Sequence, residues 1–144
     1  LSATERPNGG MPACGPLLGM RLNRRNIMTT AELAKDFTEL LKQGDSHSAA
    51  AKYNADDIVS YEAMEGPMAV CNGKEAVKQK GEWWEANHEV HGGSIDGPYV
   101  NGDQFALRFK FDITPKATGE RVTMDEVGVY TVKNGKITEE RFYY

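Results

Sequence analysis

A chain of 144 residues fits one domain, long enough to bury a core and too short for two comfortable ones. Its hydrophobic share of 40% and charged share of 26% lie near globular averages, which excludes wholesale disorder. The net charge of −4 is unevenly spread, since Arg6, Arg21, Arg24 and Arg25 against Glu5 give residues 1–27 a balance of +3 and leave −7 for the rest. An acidic body with no basic stripe excludes nucleic acid as the main partner.

No apolar run reaches the roughly 18 residues that a membrane helix needs, so a membrane is not expected as a partner. Pro12, Cys14, Gly15, Pro16 and Gly19 interrupt any signal-peptide core. Cys14 and Cys71 stand alone, without metal-ligand or disulfide spacing, which suits a reducing compartment. The expected location is cytoplasmic. There is no Gly-rich phosphate loop, and no cofactor is expected.

In chain order, residues 1–27 are punctuated by Pro and Gly and carry no helical or strand period. The folded domain is expected over 28–144, with 1–27 either a genuine tail or a segment foreign to the domain. From Thr30, which can cap a helix, Leu33, Phe37, Leu40 and Leu41 form one apolar stripe that Gly44 ends. Asp45 or Ser46 can cap a short second helix reaching Tyr53. Ile58 to Glu62 reads as a strand, 66–73 as a loop, and 74–88 as a third helix. Four further strands follow, with tight turns at Asn101-Gly102 and Asn134-Gly135. In one of them Phe105, Leu107, Phe109, Phe111 and Ile113 alternate with polar or small residues, a half-buried strand. The pattern predicts an α+β fold: a cone-shaped bent antiparallel sheet, an α+β barrel, with three helices on one face enclosing a pocket.

Two stretches point to a family. Ala55-Asp56-Asp57-Ile58-Val59-Ser60-Tyr61-Glu62 followed by Gly73-Lys74-Glu75-Ala76-Val77 resembles the corresponding run of ketosteroid isomerases. The ending Val129-Tyr130-Thr131-Val132-Lys133-Asn134-Gly135-Lys136-Ile137 is similar to the closing hairpin of SnoaL-like and nuclear-transport-factor-2-like proteins. This superfamily hosts many functions, so the resemblance implies fold more than reaction. It places a general base at Glu62. The positions of the isomerase's two oxyanion donors fall on Phe37 and Val127, which cannot donate, and the cyclase acid falls on Phe142. Neither the isomerase nor the cyclase reaction is therefore expected.

The expected catalytic set is Glu62 as base with Asp125 or His88 assisting. Register with Val127 and Val129 turns Asp125 inward, while a β-bulge would turn Glu126 inward instead. Asp125 can also pair with Arg108 or Arg121 across the sheet. His88 and His91 flank Glu89 at a helix end, a poor geometry for a metal, and none is expected. The expected pocket comprises Phe37, Tyr53, Met64, Trp84, Phe109, Val127 and Phe142. Its occupant would be a small apolar molecule, a carbonyl or epoxide substrate. The alternatives are a non-catalytic binder of a hydrophobic ligand and an interaction domain. Resemblance also implies a homodimer, formed through the sheet face carrying Ala106, Arg108, Tyr130 and Val132.

Overall fold

The computed structural model describes residues 27–144. All but the last residue of the expected N-terminal segment 1–27 lie outside the described residues. The elements run α1 (Thr30–Lys42), α2 (Ser46–Tyr53), β1 (Asn54–Tyr61), β2 (Val70–Asn72), α3 (Lys74–Asn87), β3 (His88–Asn101), β4 (Gln104–Pro115), β5 (Val122–Lys133) and β6 (Lys136–Tyr143).

The apolar stripe of α1 does what its spacing predicts, burying Leu33, Ala34 and Phe37. Thr29 rather than Thr30 caps the helix, its hydroxyl taking the Glu32 N–H while the Glu32 carboxylate takes the Thr29 N–H. That reciprocal pairing satisfies two otherwise orphaned donors. Asp45 caps α2 by accepting from the Ser48 N–H at 3.0 Å. The turn between β5 and β6 holds Asn134 at φ 52° and Gly135 at φ 72°, the two positive angles that match a hairpin's twist.

Three helices cover one face of a six-stranded curved sheet of order β2-β1-β6-β5-β4-β3. The α+β architecture is as expected, but the sheet is mixed: β1 runs parallel to β6. A further strand, β2, arises within the expected loop, with Cys71 paired to Ser60. Among the described residues no helix is long and apolar enough to cross a membrane.

The core lies between helices and sheet. Phe37 of α1 meets Tyr53, Phe105 and Tyr130 edge-on, and Phe105 stacks on Tyr130 at 4.8 Å. Residues paired across antiparallel strands point to one side of the sheet. Phe105, Leu107 and Phe109 are buried and pair with Tyr130, Gly128 and Glu126. Glu126, Gly128, Tyr130 and Val132 therefore face the helices. Ala106, Arg108 and Lys110 pair with Val129, Val127 and Asp125 on the outer face. This corrects the expected surface for a partner: Tyr130 and Val132 belong to the core, and Val127 and Val129 take their places outside.

Candidate functional site

Polar side chains gather where β1, β5, β6 and α3 meet. Ile58 and Ser60 are buried, and alternation carries Glu62, just past β1, to the same side. On β6 the inward residues are Glu140 and Phe142, and Ser60 is the register partner of Glu140. On α3, Val77, Lys80 and Trp84 share one face at helical spacing.

Lys80 sits at the centre. Its Nζ donates to Glu62 Oε1 at 2.6 Å and to Ser60 Oγ at 2.5 Å, and lies 3.5 Å from Glu140 Oε1. Ser60 Oγ donates in turn to Glu140 Oε1 at 2.7 Å. The Tyr144 hydroxyl donates to Glu62 Oε2 at 3.2 Å. The Phe142 ring supports Lys80 from below, with Nζ 4.8 Å from its centroid. The Lys80 and Glu140 side chains keep only 13% and 11% of their surface, so this is a largely desolvated ion cluster.

Glu126 completes it without a cation of its own among the described residues. Burial first, then the charge of Glu62, push its carboxyl up to about 7, with Lys80 opposing and Glu140 reinforcing. Burial also raises Glu140, against the pull of Lys80 and the Ser60 hydrogen bond. Tyr130 has its phenol pushed up by burial and then by Glu140, Glu126 and Glu62, which keeps it a neutral donor. A carboxyl that titrates near neutrality can both take and give a proton.

The sequence-predicted residues are only partly brought together here. Glu62 and Phe142 belong to the cluster. Asp125 faces outward, where its two oxygens accept from Arg108 at 3.0 and 2.8 Å, and the guanidinium holds its carboxyl below the usual range. The inward residue is its neighbour Glu126, because Glu126 pairs with buried Phe109 while Val127 pairs with Arg108. Val127 thereby leaves the expected pocket as well. His88 donates from Nδ1 to the Trp84 carbonyl at 2.7 Å and stacks on the Trp84 ring at 4.5 Å, an arrangement that finishes α3. His91 turns elsewhere, to Thr114 at 2.7 Å. Phe37, Tyr53 and Phe109 are core residues, the Tyr53 hydroxyl donating to Asp36, and Met64 is 63% exposed.

Sequence reasoning missed Lys80, Ser60, Tyr130 and Glu140. A separate cleft of about 420 Å³ opens between Leu41 at the end of α1 and Val90, Ile95 and Phe111. Among the described residues Lys42 is the one ionisable side chain lining it, and these offer no acid–base pair.

The sequence profile of the SnoaL-like domain family matches residues 28–144. The chain belongs to that family. A solved structure from Mesorhizobium loti, described as a candidate SnoaL-like polyketide cyclase and as a carbohydrate phosphatase, is 84% identical at a TM-score of 0.80. The match covers 81% of this chain and 100% of that one. An NTF2-like protein from Burkholderia thailandensis is 19% identical at a TM-score of 0.68, covering 81% of this chain and 90% of that one. Another, from Burkholderia xenovorans, is 22% identical at 0.62, covering 81% and 91%. These last two show the fold alone. No curated protein matches the chain.

Within this SnoaL-like domain the implied donor positions differ from one another. Phe37 is sealed in the core, whereas beside Val127 the inward-facing Glu126 supplies a carboxyl. Phe142 offers no acid but lies under Lys80, two residues from Glu140.

Proposed function

We propose that this SnoaL-like domain is an enzyme that moves a proton on a small carbonyl compound, with Glu126 as the group that carries it. One observation supports this above the others: Glu126 is half-buried, lacks a cation partner among the described residues, and titrates at about 7. Glu62 is held by Lys80 and Tyr144, so its role is to fix Lys80. The Glu126 carboxylate takes a proton from the carbon beside the carbonyl, and the electron pair passes to the carbonyl oxygen. The field of Lys80 stabilises that enolate, and Glu126 returns the proton. Trp84 and Phe142 offer half-buried apolar surface for the rest of the substrate.

The test is deuterium incorporation into simple ketones such as cyclohexanone, followed by NMR in heavy water near neutral pH. The protein is expected to accelerate exchange, and Glu126→Gln to lose about 100-fold or more of that acceleration. Equal rates with and without Glu126, or none above buffer, would remove the reading.

We also propose a homodimer through the outer sheet face. Tyr99 is 65% and Tyr143 is 53% exposed there, beside half-buried Ala106, Val127 and Val129, a continuous apolar strip across four strands. Light scattering at micromolar concentration is expected to give twice the chain mass, and Val129→Arg half of that. A monomeric unmutated protein would refute the dimer.

A further inference from the structure

The apolar face of the sheet runs past its helical cover at one end. Val90 of β3 pairs with buried Ile113 and so faces the helices, yet it is 48% exposed. Helix α1 packs against β3 but stops at Lys42, and Gly44 at φ 79° turns the chain away into α2. The cleft of about 420 Å³ is the space left there, a volume in the range of small-molecule sites. Leu41, Val90, Ile95 and Phe111 make it apolar. Its wall is preformed. A Cβ added at Gly93 would collide with the Phe111 ring and lie 2.6 Å from the Lys110 carbonyl oxygen, so the bare backbone is what lets the ring rest against β3.

Lys42 is the second observation. It lines the cleft and is exposed, and its ammonium has no carboxylate partner among the described residues. A lysine in the last turn of a helix ordinarily answers the carbonyls at that end. Here the backbone answers them: the Asp45 N–H donates to the Leu40 carbonyl and the Gly44 N–H to the Leu41 carbonyl, each at 3.0 Å. No acidic side chain among the described residues lines the cleft. A free ammonium beside uncovered apolar surface matches a ligand with one negative group and one hydrocarbon part.

We infer that this cleft binds a small amphipathic carboxylate, a medium-chain acid whose hydrocarbon lies against Val90, Ile95 and Phe111 and whose carboxylate meets the Lys42 ammonium. Burial of the hydrocarbon supplies most of the affinity, and the charge-assisted hydrogen bond selects the head group. The cleft is separate from Glu126, so the inference does not rest on proton transfer.

Calorimetric titration with sodium octanoate, kept below its micelle concentration, tests it against octanol, octylamine hydrochloride and sodium acetate. Octanoate is expected to bind at least about fivefold tighter than octanol, octylammonium more weakly than either, and acetate not measurably. Lys42→Met should bring octanoate down to the affinity of octanol and leave octanol unchanged. Val90→Trp, at an exposed position, fills the cleft and should abolish binding of both. Lys133→Met, which removes an exposed lysine outside the cleft, should change neither, and nor should Glu126→Gln. Octylammonium binding as tightly as octanoate, or no octanoate binding at millimolar concentration, would overturn the inference. So would unchanged octanoate affinity in Lys42→Met or in a folded Val90→Trp protein. Because Glu126→Gln removes the proposed proton carrier and spares the cleft, failure of ketone exchange and failure of octanoate binding are read separately.

Discussion

Replacing Lys80 by methionine is expected to cost about 3 kcal/mol of stability near pH 7, lowering the melting temperature by roughly 10 °C. Methionine keeps most of the aliphatic stem that lies against Phe142, so packing changes little. What disappears is the only cation among the described residues in reach of two carboxylates whose side chains keep 21% and 11% of their surface. Breaking a desolvated pair from one side leaves an unanswered charge, which costs more than the pair contributes net. The pH dependence separates this from simple packing damage. In acid, where the carboxyls are protonated in the folded and the unfolded chain alike, the loss should shrink by half or more. Adding Glu140→Gln to Lys80→Met should restore part of the stability at neutral pH. A loss of equal size at both pH values would mean that Lys80 acts as a spacer and not as a counter-charge.

The parts of the molecule that sequence reading reaches are those set by local periodicity. Alternation in β4 identifies its buried face, and the α1 stripe identifies the helix that covers it. Strand β2 escapes because three residues, Val70–Asn72, cannot show a period and lie between turn-forming residues. The parallel pairing of β1 with β6 is equally silent, since it joins segments about eighty residues apart in the chain. At the site, Val127 and Val129 imitate a core face while Gly128 has no side chain to signal its own. The pairing of β5 with Phe105, Leu107 and Phe109 decides the matter, and that is a tertiary fact. Where β6 pairs with β5 the register shifts between Thr131 and Val132 and passes over Thr138 of β6, so Ile137 and Glu140 face the same way at a spacing of three. A strict period of two would have placed Glu139 inside. Lys80 had a signal, its helical spacing from Val77 and Trp84, but a lysine among lysines reads as a solvated face until its acidic partners are located.

Glu126→Gln should stabilise the protein at alkaline pH while removing its proposed chemistry. An ordinary glutamate titrates at about 4.5, and this one at about 7. Between those values the folded chain holds a proton that the unfolded chain has released. Stability therefore falls as pH rises through that window and is level above it. The full interval corresponds to about 3 kcal/mol, and the solvent that reaches this half-buried carboxyl reduces it to about 1–2 kcal/mol. Glutamine never ionises. Melting curves should coincide near pH 4.5 and separate by roughly 5 °C near pH 8, the variant melting higher. Asp36, Asp45, Asp112 and Asp125 are held below the ordinary carboxylate range, and what they contribute is lost only at more acid pH, so they do not mask the window. Glu140, raised by burial, tilts the curve in the same direction in both proteins, and its repulsion of Glu126 is one part of the gap that glutamine removes. A gap that does not vary with pH would show that Glu126 does not titrate there, and the proton-transfer reading would fall with it. If the gap opens as expected, the carboxyl that weakens the fold is the same one that ketone exchange requires, which is the signature of a residue retained for its chemistry and not for packing.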